Sequence, residues 1–201
     1  QAAQLPPRPV DQPVDHVEDR AALVGHSWGS LIALEATARL GTRASHLVLV
    51  GTAFPMKVSP ALIESSLNEP EKALKMVNMF SRSSLASPSG AGFWAYGAGL
   101  ALGRRVLRSN PRVNVFHRGF VACDSYCGGE QAIAAIQCPV LFALGAQDQM
   151  TPPKAAQGLI ATARAAGKMV QVAHLPVGHN QMTETPEETL RAIGDFLNAP
   201  A

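Results

Sequence analysis

Residues 21–30 read Ala21-Ala22-Leu23-Val24-Gly25-His26-Ser27-Trp28-Gly29-Ser30, and the fold turns on this stretch. Four small or apolar residues run up to Gly25, and a periodic segment from Trp28 to Leu40 follows, closed by Gly41. The first predicts a short buried strand, the second a helix whose final glycine favours a left-handed cap. Between them, Gly25-His26-Ser27-Trp28-Gly29 matches the pattern in which a serine sits on a tight strand-to-helix turn. A side chain at Gly25 or Gly29 is expected to collide with neighbouring backbone as the chain reverses, so the turn exposes Ser27 above the sheet. A serine that merely capped a helix would need no flanking glycine pair. The amide of Trp28, in the first helical turn, then faces developing negative charge as one half of an oxyanion hole.

Outward from this unit, His46–Val50 and Val140–Leu144 are continuous apolar runs, the pattern of parallel strands covered on both faces, and Met169–Ala173 is a weaker third. Helices are predicted over Pro153–Ala166 and Glu187–Leu197, the latter opened by Thr185, Pro186 and Glu188 as a capping box with proline at the first helical position. Strands alternating with helices imply an α/β class with a parallel sheet flanked by helices. The alternation stops between residues 51 and 137, where Ala61–Leu67, Glu71–Phe80, Gly92–Leu107, Arg112–Ala122 and Glu130–Ile136 predict helices. An insertion between two parallel strands leaves the sheet at its carboxyl edge, where ligands bind. Residues 57–137 are therefore expected to form a helical cap, with 20–56 and 138–201 as the core. Residues 1–19, proline-rich and then acidic, are expected to be a linker or non-core remnant.

A serine hydroxyl is a poor nucleophile until a base takes its proton, and His16, His26, His46, His117, His174 and His179 are the choices. His26 adjoins Ser27 on a turn that points neighbours apart, and His46 begins a strand at the wrong edge. His179, in Val177-Gly178-His179-Asn180 after the last strand, sits on a glycine-containing loop at the carboxyl edge and is favoured. His174, at the strand end before Pro176, is the alternative. The imidazole needs a carboxylate to fix its tautomer and stabilise its charged form. Asp148, in Gly145-Ala146-Gln147-Asp148, is the only acid in the loop after Val140–Leu144, and Gly51-Thr52-Ala53 after Val50 has none. A local turn role is the competing reading of Asp148.

The chain has 201 residues, 47% of them hydrophobic and 16% charged, with a formal charge of +2. That suits one globular core and excludes a disordered polymer or a basic nucleic-acid binder. No run nears the ~20 apolar residues of a membrane span. The expected partner is a small-molecule substrate, with no nucleic acid and no membrane. Cys123, Cys127 and Cys138 are an odd set within one third of the chain, which fits free thiols in a reducing, cytoplasmic setting. His117, Cys123 and Cys127 lack a fourth ligand and tight spacing, so neither metal nor cofactor is expected. The chain opens on Gln1 in a proline-rich stretch, and we expect the numbering to start inside a longer gene product.

Ser27, Asp148 and His179, each after a separate parallel strand and in that chain order, resemble the catalytic set of the α/β-hydrolase superfamily. The resemblance runs from about Arg20 to the end, and Gly145–Pro153 and Leu175–His179 are similar to the acid and histidine loops of its lidded members. It implies the C-terminal part of that fold and cleavage of an ester or related acyl bond through an acyl-enzyme, without cofactor, under a helical cap. Gly25-His26-Ser27-Trp28-Gly29-Ser30 is similar to the elbow of proline iminopeptidases. The layout also resembles carboxylesterases, carbon–carbon bond hydrolases and cofactor-free haloperoxidases, and a non-catalytic binding module stays open. Serine at position 27, in place of aspartate, argues against epoxide hydrolases and dehalogenases. Phe80, Phe93, Trp94, Tyr96, Phe116 and Phe120 in the cap favour small, fairly apolar esters, whereas Asp124 and Tyr126 are expected to be solvated. The superfamily places strands and a second oxyanion donor ahead of the nucleophile, and residues 1–19 resemble neither. The implied chain is N-terminally truncated, poorly soluble and nearly inactive by itself.

Overall fold

The computed structural model describes residues 20–83, 89–90 and 93–199, so the linker expected over residues 1–19 lies outside the described residues. Strands β1 (Ala21–His26), β2 (Ala44–Val50), β3 (Val140–Gly145) and β4 (Val170–Leu175) form one parallel sheet in the order β1-β2-β3-β4. Helix α1 (Trp28–Leu40) follows β1, and α2 (Pro60–Asn68), α3 (Pro70–Phe80), α4 (Ala95–Arg108), α5 (Val115–Ser125) and α6 (Gly129–Ala135) fill the interval between β2 and β3. After β3 come a 3₁₀ turn at Pro153–Ala156 and α7 (Gln157–Ala165). After β4 come α8 (Gln181–Glu184) and α9 (Pro186–Asn198). Ser89–Gly90 also pairs antiparallel with Phe93–Trp94.

The central strands have apolar side chains on both faces because both faces are covered. Leu47 and Leu49 of β2 and Phe142 and Leu144 of β3 meet Leu34 of α1, Ile133 of α6 and Leu159 of α7. On the other face, Val48, Val50, Leu141 and Ala143 pack against Phe196 of α9. Full burial of each such large side chain stabilises the fold by about 1.5–3 kcal/mol. Helix α6, the last of the inserted helices, thus joins the core layer.

Strand β1 is an exposed edge of the sheet among the described residues. It pairs only with β2 among the described residues, and Val24 is 51% exposed. Val24 lies opposite Val48 on the face that α9 covers, but Val24 is not part of the apolar cluster around Phe196. Its composition suits burial; its neighbours do not supply it.

Several helix ends follow local chemistry. Ser59 caps α2 through Leu62 N–H, Asn114 caps α5 through His117 N–H, and prolines open α2, α3 and α9. Gly41 closes α1 at φ +56°, its N–H bonding to Thr37 O. The capping box expected at Thr185 does not form. The Thr185 hydroxyl bonds the Glu188 carboxylate directly and no side chain caps the backbone.

Candidate active site

Ser27, Gly51, Asp148 and His179 all follow the carboxyl ends of sheet strands, so the parallel sheet gathers them at one edge. Ser27 has φ +53° and ψ −128°, and it is the only non-glycine residue with positive φ among the described residues. Such a conformation costs about 1–3 kcal/mol and persists only where surroundings enforce it. Here Ser27 N–H donates to Val50 O at 2.8 Å, and Ser27 O receives Ser30 N–H at 2.8 Å and the Ser30 hydroxyl at 2.5 Å. Ser27 stands at the N-cap of α1, yet its side chain makes no capping bond. Trp28 is the first helical residue, and its amide belongs to the set at a helix start that lacks intrahelical partners.

The two glycines of the turn are not equivalent. A Cβ at Gly25 would stand 2.2 Å from Gly29 O, so Gly25 is sterically required. At Gly29 a Cβ would meet nothing within 4 Å, against the collision expected there. Gly29 already lies in the helix, with its side-chain direction pointing away from the reversal.

Asp148 and His179 meet in a buried pair, Nδ1 to Oδ2 at 2.7 Å. The carboxylate oxygen accepts, so Nδ1 carries the hydrogen and Nε2 is left as the basic nitrogen. Asp148 Oδ1 receives the N–H groups of Met150 and Thr151, each at 2.8 Å, and Oδ2 also contacts Thr151 Oγ1 at 2.7 Å. Burial alone would raise the Asp148 carboxyl. The His179 and Thr151 bonds outweigh it and hold the carboxyl below its usual value. Thr151 Oγ1 also lies 3.0 Å from His179 Nδ1 and 2.8 Å from Gly51 O.

Beneath the pair lies His26, whose Nε2–H donates to His179 O at 2.8 Å, the two ring centroids 4.7 Å apart. Burial, then the charge of His179, lowers its pKa to about 4, so His26 is neutral at pH 7. The buried Gln181 amide satisfies its neighbours with its nitrogen toward His179 O, at 2.5 Å, and its oxygen toward Gly145 N–H, at 3.1 Å. The acid and histidine loops touch at Gly145, where a Cβ would stand 2.1 Å from Gly178 O. Glu184 accepts from both Gly178 N–H and Ser83 N–H, and Asn180 N–H donates to Ser81 O, stitching the chain after α3 to the histidine loop.

The other described sequence candidates lie elsewhere, and His16 lies outside the described residues. His174 is exposed on β4, His46 packs edge-on against Phe196, and His117 bonds Ser66. Asp124 accepts from Val58 N–H, and the Tyr126 hydroxyl donates to Glu35, so both tie elements together. The three cysteines are free, and no metal-binding cluster occurs among the described residues. Phe80, Phe116 and Phe120 line clefts that open on Ser27; Tyr96 lines neither, and the side chains of Phe93 and Trp94 lie outside the described residues. Thr151 and Glu184 escaped the sequence reading, and His26, weighed there only as a base, instead supports His179 through a contact that no local pattern encodes.

A four-stranded parallel sheet with a strained serine turn and a buried Asp–His pair at its carboxyl edge defines an α/β-hydrolase architecture. The chain belongs to the alpha/beta hydrolase family, whose model matches residues 2–192. It is similar to a thermophilic esterase, at 27% identity and a TM-score of 0.68 over 89% of this chain and 66% of that one. An esterase from Exiguobacterium antarcticum aligns at 19% identity and a TM-score of 0.71 over 89% and 66%. An enol-lactonase from Burkholderia xenovorans LB400 aligns at 19% and 0.68 over 90% and 66%. The chain thus spans about 66% of the length of each of these structures. No curated protein matches it. No helix among the described residues is long and apolar enough to cross a membrane.

Proposed function

We propose that the protein is a serine hydrolase that cleaves a small, largely apolar ester or related acyl bond through an acyl-enzyme on Ser27. The observation that carries this reading is the buried His179–Asp148 bond of 2.7 Å beside a strained, uncapped Ser27 that lines the same cleft as His179. Nε2 of His179 takes the Ser27 proton as Oγ attacks the acyl carbon, and Asp148 holds the tautomer and stabilises the imidazolium. The Trp28 amide donates to the oxyanion. Collapse breaks the bond to the leaving group, which receives the proton from His179. Water then attacks the acyl carbon and gives a proton to His179; the bond to Ser27 Oγ breaks, the serine oxygen takes that proton back from His179, and the acid leaves.

Helices α2 to α5 of the 57–137 insertion act as the cap in this reading, since Leu62, Met76, Phe80, Phe116 and Phe120 line clefts over Ser27, while α6 packs in the core. The free cysteines accord with work in the cytoplasm, on a small molecule rather than nucleic acid or membrane. The test is a panel of short-chain aryl esters, prolyl amides and a halide-oxidation assay on the full-length gene product with Ser27→Ala and His179→Ala beside it. Ester turnover lost in both variants supports the reading. Turnover confined to another substrate class reassigns the chemistry, and a folded protein inert throughout is a binding module.

A further inference from the structure

Two clefts meet at Ser27. The first, of about 240 Å³, runs beneath α2 and α3 past Met56, Val58, Leu62 and Met76. The second, of about 410 Å³, lies among α3, α4 and α5 past Leu102, Val106, Phe116 and Gly119. Ser27, Trp28, Val77, Phe120 and Met150 line both, so the clefts join over the serine. Among the described residues His179 lines only the second.

We infer that the substrate binds with its acyl group in the first cleft and its alcohol in the second, and that Gly119 sets the size of alcohol admitted. This rests on the reading of Ser27 as nucleophile and His179 as base. In acylation the bond from Ser27 Oγ to the acyl carbon forms while the bond to the alcohol oxygen breaks, and the proton on His179 must reach that oxygen. The leaving oxygen therefore sits on the His179 side, and the rest of the acyl group extends into the cleft that Ser27 lines without His179. Water replaces the departed alcohol beside His179 for deacylation. The cleft sizes then call for a short acyl group on a bulkier apolar alcohol.

Gly119 is singled out by its surroundings. Three glycines line the second cleft. A Cβ at Gly99 would stand 1.9 Å from Asn78 Oδ1, and one at Gly103 would stand 2.5 Å from Leu74 Cδ2, so both face side chains of α3 that pack closely on α4. At Gly119 the nearest atom would be Trp28 Nε1 at 4.0 Å. Glycine inside a helix is unfavourable on propensity. Among the described residues position 119 has no packing reason for it, and what the missing side chain leaves open is the cleft.

The experiment uses the full-length gene product and two ester series: acetates of methanol, phenol and 1-naphthol, and 4-nitrophenyl esters from acetate to octanoate. Gly119→Leu should lower the kcat/KM ratio of 1-naphthyl to methyl acetate by about 10–200-fold while the acyl-length profile keeps its shape. Leu62→Trp should shorten the accepted acyl chain and leave the alcohol ranking in place. Gly119→Ala gives a smaller shift in the same direction, so the result does not hang on one variant folding. A changed acyl-length profile in Gly119→Leu reverses the orientation, and no change in either series removes Gly119 from the subsite. Esterase activity that survives Ser27→Ala instead overturns the underlying nucleophile reading, whatever the position 119 variants do.

Discussion

Replacing His26 with glutamine separates two sources of acid sensitivity. The His26 ring is buried against His179, and its pKa falls from 6.5 to about 4, through burial first and the neighbouring imidazole second. A group with a lowered folded pKa takes up its proton in the unfolded chain before it does in the folded one. Folding stability therefore declines as pH falls from about 6.5 and stops declining on this account near pH 4. The separation of roughly 2.5 pKa units, at about 1.36 kcal/mol per unit, sets the loss at about 3 kcal/mol. Asp148 acts in a different window. Its carboxyl lies below the usual 3.8, so the stability that it contributes is present above that value and disappears as pH falls further. Glutamine keeps an N–H donor for His179 O and carries no titratable group. Urea unfolding curves at pH 7, 6, 5 and 4, followed by tryptophan fluorescence, should show the wild type losing about 3 kcal/mol more than His26→Gln over that range. Parallel pH profiles for the two proteins would refute the burial of a neutral His26 under His179.

Asp148→Asn keeps the loop hydrogen bonds that Oδ1 accepts but favours the wrong imidazole tautomer, so ester turnover should fall by up to ~10⁴ with KM little changed. Near-full activity in that variant, with loss in His174→Ala, would move the base to β4. The glycine pair should split: Gly25→Ala forces a Cβ to 2.2 Å from Gly29 O and should cost about 3 kcal/mol or more in a denaturant titration. Gly29→Ala meets open space in a helix and should be neutral or stabilising by up to about 1 kcal/mol. Equal destabilisation by both would contradict the asymmetry.

The inner strands were legible because burial on both faces leaves a continuous apolar run, as in Leu47–Val50 and Val140–Leu144. Strand β1 was legible as a strand, and an edge without neighbours was expected to leave its apolar side chains exposed, as Val24 is. Each candidate site residue announced itself locally: Ser27 through Gly25, Asp148 and His179 through glycine-containing loops after strands. What held them did not. The contact between His26 and His179 spans 153 positions, and Thr151 matters because its hydroxyl reaches Gly51 and Asp148 together. Gly29 misled because the pattern treats its two glycines alike, whereas the turn crowds only the first. The Thr185 box failed because two side chains with matching donor and acceptor found each other before the backbone.

Mass spectrometry of the full-length protein after treatment with a fluorophosphonate tests the nucleophile directly. Attack by Ser27 Oγ forms a P–O bond, expels fluoride and passes the serine proton to His179. The account predicts a single phosphonyl adduct on the peptide containing Ser27, absent in Ser27→Ala and strongly slowed in His179→Ala. An unlabelled Ser27 in a folded protein, or an adduct on any other residue, would contradict it.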